Sequence, residues 1–335
     1  MNKLQKLKNQ LSSSYKKEII FNLSPASGYR SRCEFGYKNG SYTMVKDGKK
    51  VLLDHFDLPV SAIQNIMKPL LEAINANPLI NKKLFQINFR AVNQIVLVTL
   101  IYHKQLGQNW LESARIIETK LDINVLGRSK NQLLATHLTE LEQYIDINPS
   151  YYLYQNDKTF YQPNAFLMPK MVKLVISLIE NPRDLLELYC GSGTFTIPLS
   201  YSFKNIFATE NNRESISYLK KSIHKNHIKN IFYARLSDIE LMDAYKGRIF
   251  RRLENIDLKN FNFSHVLVDP PRSGLSHNVT EILNKFENII YISCNPDTFK
   301  RDLDKLKDYR IKKLEVFDQF SNTPHLELIA LLIKR

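Results

Sequence analysis

Cysteine is scarce in this chain of 335 residues. Cys33, Cys190 and Cys294 are three residues far apart, so no disulfide framework, tetrahedral metal site or iron–sulfur cluster can be assembled from them alone. Long apolar runs are also missing: the most extended, such as residues 94–102, stop well short of the ~18 residues of a membrane helix. Met1 to Lys8 is positively charged but precedes no apolar segment, so it does not read as a secretory signal, and a cytoplasmic location without membrane association is expected. No repeat or low-complexity tract occurs. Acidic residues are outnumbered, 33 Asp+Glu against 47 Lys+Arg, which gives a net charge of +14 and a pI near 9.4. That surplus is spread over both halves and favours a polyanionic partner such as nucleic acid. Hydrophobic residues at 44% and charged residues at 24% are ordinary for a soluble globular protein and exclude disordered, collagen-like and coiled-coil classes. The length suggests about two domains.

The first half reads as hairpins and two helices. Between Arg30 and Phe56, β-prone runs are punctuated by Asn39-Gly40 and Asp47-Gly48, dipeptides suited to type I′ turns, and a three-stranded meander is expected. A helical pattern interrupted by Pro69 covers residues 61–75, apolar runs at 84–89 and 95–103 flank a polar turn, and residues 110–121 form a second helix candidate. The stretch 148–157 is the best boundary, dividing the chain into 1–155 and 156–335. After Pro169, apolar strands at 184–189, 205–209, 230–235, 265–268 and 288–293 alternate with helices, which implies a parallel, doubly wound α/β sheet. Two last runs, 311–317 and 326–333, are joined through Pro324 and should pair antiparallel at the edge. Seven such strands are the arrangement of the class I (Rossmann-like) methyltransferases, an analogy of fold alone.

Chemistry concentrates at the ends of these strands. After the first strand, Gly191 and Gly193 let backbone N–H groups approach a ligand closely. A dinucleotide fingerprint would need a third glycine where Thr196 stands. Glu210, about 20 residues on at the end of the second strand, is placed to hold a ribose diol, and Asp238 follows the third strand at the position of an adenine edge. Together they favour a nucleoside cofactor. The fourth strand ends in Asp269-Pro270-Pro271-Arg272-Ser273-Gly274, a loop stiffened at the ligand-binding crevice, and the fifth in Ser293-Cys294-Asn295-Pro296. A thiol at that edge is expected to gain thiolate character and exposure.

The runs 187–195, Val268-Asp269-Pro270-Pro271-Arg272-Ser273-Gly274-Leu275, Tyr291-Ile292-Ser293-Cys294-Asn295-Pro296 and His325-Leu326-Glu327 resemble the S-adenosylmethionine-dependent RNA uracil-C5 methyltransferases. In the first half, residues 24–35, Lys83-Leu84-Phe85-Gln86-Ile87, Tyr102-His103-Lys104 and Phe160-Tyr161-Gln162-Pro163-Asn164 are similar to the tRNA (uracil-5-)-methyltransferase branch, which converts the T-loop uridine at tRNA position 54 to 5-methyluridine. The likeness covers nearly the whole chain. Ribosomal RNA branches typically carry a four-cysteine iron–sulfur cluster, which this chain cannot supply.

The resemblance implies an N-terminal α+β RNA-binding domain over 1–155 and a methyltransferase domain over 156–335, with S-adenosylmethionine as methyl donor and neither metal nor iron–sulfur cluster. It makes Gln162, Tyr189, Thr194, Glu210 and Asp269 cofactor-site residues, Cys294 the nucleophile and Glu327 the proton acceptor, with His325 a rival base. The family usually has Asn where this chain has Thr194, whose hydroxyl still hydrogen-bonds. Phe85 corresponds to an aromatic near the target base, and Arg30 and Arg32 fall where RNA contacts are expected. The implied partner is the tRNA T-arm, with transfer-messenger RNA a further substrate and no obligate protein partner. Competing readings are a ribosomal RNA uracil methyltransferase without a cluster, an exocyclic-amino methyltransferase, which would need no nucleophilic thiol, and a non-catalytic RNA-binding protein.

Overall fold

The computed structural model describes residues 3–46, 48–53, 55–321 and 323–335. The chain opens with helix α1 (Lys3–Leu11) and strand β1 (Ile20–Leu23), followed by β2 (Arg32–Lys38), β3 (Ser41–Lys46), β4 (Lys49–Leu52), α2 (Ser61–Asn75), α3 (Pro78–Asn81), β5 (Leu84–Val92), β6 (Ile95–Tyr102), α4 (Gln108–Leu121), β7 (Asn124–Ser129) and β8 (Gln132–Ala135). Strands β2 to β8 form one sheet in the order β4-β3-β2-β5-β6-β7-β8. Asn39 and Gly40 join β2 to β3 with φ of 50° and 76°, the left-handed pair that a type I′ turn requires. At the next turn Gly48 has φ 74°, while Asp47 lies outside the described residues.

Helices α2 and α4 contribute Ile63, Leu70, Ile74, Trp110, Ala114 and Ile117 to the core against this sheet. Pro69 does not interrupt α2. It sits on the exposed side, where the backbone bond it cannot donate would have gone to Asn65, itself exposed, so the unmatched carbonyl is not sealed from water. Trp110 donates its indole N–H to the Tyr102 hydroxyl at 2.9 Å, which satisfies the polar handle of a buried ring.

Next come β9 (Leu141–Ile145) and β10 (Tyr151–Gln155), an antiparallel ribbon, then α5 (Met168–Ser177), β11 (Asp184–Leu188), α6 (Thr196–Leu199), β12 (Asn205–Glu210), α7 (Arg213–Lys225), β13 (Ile231–Arg235), α8 (Asp238–Tyr245), β14 (Phe263–Val268), α9 (His277–Leu283), β15 (Asn288–Ser293), α10 (Pro296–Lys305), β16 (Tyr309–Asp318) and β17 (Glu327–Lys334). The second sheet runs β1-β16-β17-β15-β14-β11-β12-β13. It therefore has eight strands where the sequence suggested seven, because β1 pairs parallel with β16, Ile20 opposite Glu315. Helix α1 also packs into this sheet's core through Leu7 and Leu11, so residues 3–23 join the second half rather than the first. The ribbon spans the expected boundary. The Gln155 amide oxygen accepts from Arg90 at 2.8 Å, while Asn226 of α7 exchanges hydrogen bonds with the Tyr152 backbone.

Strand β11 pairs with both β12 and β14, so the loops following β11 and β14 emerge on either side of the point where strand order reverses. β17 is antiparallel to β15 and β16, which returns its first residue to the same edge.

Candidate active site

The loop after β11 is shaped by left-handed backbone. Tyr189, Gly191 and Gly193 have φ of 61°, 56° and 99°. A Cβ at Gly193 would stand 2.7 Å from Leu219 Cδ1, whereas at Gly191 it would meet nothing within 4 Å and would project into open space over the loop. Glu210, closing β12, accepts the Gly191 N–H at 3.1 Å and the Asn212 N–H at 2.7 Å. Asp238 opens α8 and accepts from Ser276 Oγ at 2.5 Å. Burial, with Asp238 and Glu210 close by, pushes the Tyr189 hydroxyl above its ordinary range. The Ser192 hydroxyl in this loop is buried without a partner. Open space over a glycine, an unpartnered hydroxyl and two carboxylates able to accept hydrogen bonds make a set of groups that fits a nucleoside cofactor. Thr194 is half-buried in the same loop, and Gln162 is buried, its Oε1 accepting from Gln319 at 3.1 Å.

The second group forms where β14, β15 and β17 end. Ser293 lies opposite Leu328 across the antiparallel pair, so Cys294 and Glu327 follow side by side at the sheet edge. Asp269 leaves β14 one residue past Val268, which pairs with Tyr291. Burial lifts the Asp269 carboxyl to about 7, and burial with Asp269 lifts Glu187 to about 8. Glu327 is also raised well above the carboxylate range, by burial and by Asp269, against the opposing pull of Arg272. Burial, Glu327 and Asp269 drive the Cys294 thiol to about 11, Arg272 again opposing. The expectation of thiolate character is thus corrected for the free protein: burial of the thiol raises it most, and the Glu327 and Asp269 carboxyls beside it add to the rise. That helix's first turn is already capped, Asn295 Oδ1 accepting from the Asp297 N–H at 3.0 Å.

Arg272 is the side chain that sequence reading passed over, though it stood inside a motif already quoted. It lines a cavity of 330 Å³ with Cys294, Asn295, His325 and Lys6, and a second cavity of 370 Å³ with Arg30, Arg32, Phe160 and Phe320. Its backbone oxygen accepts from Asn295 at 3.3 Å and Thr298 at 3.4 Å, which fastens its loop to the one carrying Cys294. His325 is half-buried, and burial with Arg272 and Lys3 holds its imidazole below the usual range.

The two halves meet beside these cavities. The Ser31 N–H donates to Pro163 O at 2.8 Å, and the Ala165 N–H to Tyr29 O at 2.9 Å, so residues 24–35 and 160–164 are brought together. Arg30 stacks over Phe320 at 5.5 Å, and Arg32 donates to Glu34 at 2.9 Å. Phe85 lines neither cavity; it stacks on His103 with ring centroids 3.9 Å apart. A surface groove of 900 Å³ between residues 244 and 263 contains none of these residues. Among the described residues, no group of three His, Cys, Asp or Glu side chains could hold a metal ion, and no helix is long and apolar enough to cross a membrane.

The sequence pattern of the tRNA (Uracil-5-)-methyltransferase family matches residues 1–335. The chain belongs to this family. It is similar to a tRNA/tmRNA (uracil-C(5))-methyltransferase of Campylobacter concisus, 42% identical over 322 residues, 93% of this chain and 88% of that protein. A tRNA/tmRNA (uracil-C(5))-methyltransferase of Saccharophagus degradans is 39% identical over 341 residues, 98% and 93% of the two chains. In fold it resembles the Pyrococcus abyssi tRNA (uracil-54, C5)-methyltransferase solved with S-adenosyl-L-homocysteine, with a TM-score of 0.77 and 23% identity over 99% of this chain and 82% of that one. The methyltransferase is thus an α/β enzyme with mixed sheets that uses S-adenosylmethionine to methylate uracil of tRNA at carbon 5.

Its acid cluster has a consequence for stability. Asp269 titrates near 3.9 when unfolded and about 7 when folded, and Glu187 near 4.3 and about 8, so the folded state holds the extra protons. Their contribution is fully present below about pH 4 and is lost as pH rises through 7 and 8. Thermal melts should show a smaller fall in Tm between about pH 5 and 9 for Asp269→Asn than for wild type; equal falls would contradict the assigned burial.

Proposed function

We propose that the enzyme forms 5-methyluridine at position 54 of the tRNA T-loop, and at the corresponding uridine of transfer-messenger RNA, through a covalent bond between Cys294 and uracil carbon 6. The reading takes the eight-stranded unit as a class I methyltransferase sheet extended by β1, the β2–β8 unit as the RNA-binding domain, and the cytoplasm as the place of action. The observation that carries it is the placement of Cys294 and Glu327 side by side, with Asp269 and Arg272 against them.

S-adenosylmethionine, held by Gln162, Tyr189, Thr194, Glu210 and Asp269, supplies an electrophilic methyl group when bound. Carbon 5 of uracil is a poor nucleophile until sulfur adds at carbon 6. Cys294 gives its proton to solvent in the cavity it lines, its sulfur bonds to carbon 6, and the double-bond pair moves toward the carbonyl as an enolate. Arg272 favours the charged forms of both Cys294 and Glu327. After methylation, Glu327 takes the carbon 5 proton, the electron pair left by that proton reforms the carbon 5–carbon 6 double bond, and the sulfur leaves as thiolate. The target base is stacked in the T-loop and must be extruded to reach the thiol, at a cost of a few kcal/mol.

Both chemical steps use deprotonated groups whose pKa values are raised. kcat/KM should therefore climb between about pH 6 and 9, as initial rates at constant ionic strength would show; a profile already flat at pH 6 contradicts the protonation states assigned here. Affinity for tRNA should fall steeply with salt, by close to 0.9 counterions per duplex phosphate contact and ~0.7 per single-strand contact. Arg30→Ala with Arg32→Ala should weaken RNA binding while leaving cofactor binding intact, whereas a flat salt profile would point to a small-molecule substrate. The target itself is tested by nucleoside mass spectrometry of tRNA from a deletion strain with and without the gene restored. 5-Methyluridine at position 54 should vanish and return; loss confined to ribosomal RNA would favour the ribosomal reading.

A further inference from the structure

Gln319 lies one residue past β16, in the segment leading to Glu327, and none of the roles above uses it. It is 1% exposed. Its Nε2 donates to Gln162 Oε1 at 3.1 Å and to the Met171 sulfur at 2.9 Å, and its Oε1 is buried without a partner. Its backbone oxygen accepts from Asn164 Nδ2 at 3.3 Å, which ties it to the segment carrying Gln162.

A glutamine amide has a donor end and an acceptor end of nearly equal shape, so its partners decide which end faces which way. A thioether sulfur can only accept. Met171 therefore holds the nitrogen of Gln319 on its side, even though this leaves Oε1 unpaired. The second hydrogen of that nitrogen meets Gln162, which must answer with its oxygen. What Gln162 then has for a ligand is its nitrogen, which only donates.

We propose that Gln319 is a positioning residue: the series Met171, Gln319, Gln162 sets the polarity of the Gln162 amide, so that the site presents an N–H donor to an acceptor oxygen. Two such oxygens arrive with the reactants, the carboxylate of the cofactor and a carbonyl of the uracil. The proposal rests on reading Gln162 as a site residue.

The test measures S-adenosylhomocysteine affinity by calorimetry and, separately, KM for T-arm RNA, on Gln319→Leu, Gln162→Ala and the double variant. Gln319→Leu should weaken one of the two ligands about tenfold, and should add nothing once Gln162 is alanine. Weakened S-adenosylhomocysteine binding identifies the cofactor carboxylate as the acceptor; a raised RNA KM identifies the uracil carbonyl. Met171→Leu keeps the volume and removes only the sulfur acceptor, so it should give a smaller loss, about two- to threefold, that also disappears in the Gln162→Ala background. This second variant decides the matter if Gln319→Leu does not fold. Equal losses with and without Gln162, or no loss for either ligand, overturn the proposal. A Gln162→Ala variant that binds both ligands like wild type overturns the site reading of Gln162, and the relay with it.

Discussion

Cys294→Ala should abolish methylation, with an expected fall in rate of about 10⁴-fold or more, while S-adenosylhomocysteine should bind the variant as it does wild type. The two readouts should separate because, in the proposed mechanism, the thiol acts on the base while the loop of Gly191 and Gly193 and the Glu210 carboxylate hold the cofactor. The two other cysteines are more deeply buried than Cys294. Cys190 is buried with its sulfur 3.8 Å from Gly191 O, and burial and Glu187 drive its thiol well above the ordinary value. Cys33 is buried in the first-half sheet and is raised to about 12, mainly by burial. Single-turnover assays with radiolabelled methyl donor, alongside calorimetry, check this. Turnover by the alanine variant at near wild-type rate would remove covalent catalysis from the account.

Glu327→Gln should transfer a methyl group once and then stall. In the proposed mechanism, methylation leaves carbon 5 tetrahedral, bearing both the methyl group and its original hydrogen, and the sulfur cannot leave carbon 6 until that hydrogen is taken. An amide in place of the carboxylate is isosteric but accepts a proton far more weakly, so turnover should fall by about 10²–10⁴-fold. A protein–RNA adduct should then survive denaturing electrophoresis with natural, unfluorinated tRNA. His325 is the competing base, two residues earlier in the chain. Burial, Arg272 and Lys3 hold its imidazole below its usual pKa, which leaves it neutral at pH 7 but also makes it a weaker proton acceptor. Normal turnover by Glu327→Gln, together with adduct accumulation in His325→Ala, would reverse the two roles.

Much of the second half was readable because each buried parallel strand is an apolar run followed by a helix, a local signal. The runs at 205–209, 230–235 and 288–293 match β12, β13 and β15 to within a residue at either end. β1 was not readable for the opposite reason. It is four residues long, Ile20 and Leu23 are half exposed, and its partner β16 lies almost at the other end of the chain. The ribbon β9–β10 was missed likewise, being short and held by Asn226 and Arg90 from opposite halves. At the site, the positions of Cys294 and Glu327 were legible from the strand ends and from family likeness. Their electrostatics were not: the thiol is raised first by burial and then by Glu327 and Asp269, which arrive from two other strands. Gln319 and Arg272 carried no signal of their own, since what singles them out is what they touch.

The most direct test of the central claim is to trap the covalent intermediate. T-arm RNA carrying 5-fluorouracil at position 54 is incubated with wild-type enzyme and S-adenosylmethionine, and the complex is digested and mapped by tandem mass spectrometry. Fluorine at carbon 5 cannot be removed as a proton, so the account predicts a methylated fluorouridine bonded to the peptide that contains Cys294, and no adduct with Cys294→Ala. An adduct mapping to Cys190 or Cys33, or methylation of natural T-arm RNA by an enzyme that never becomes covalently attached to the fluorinated one, would contradict it.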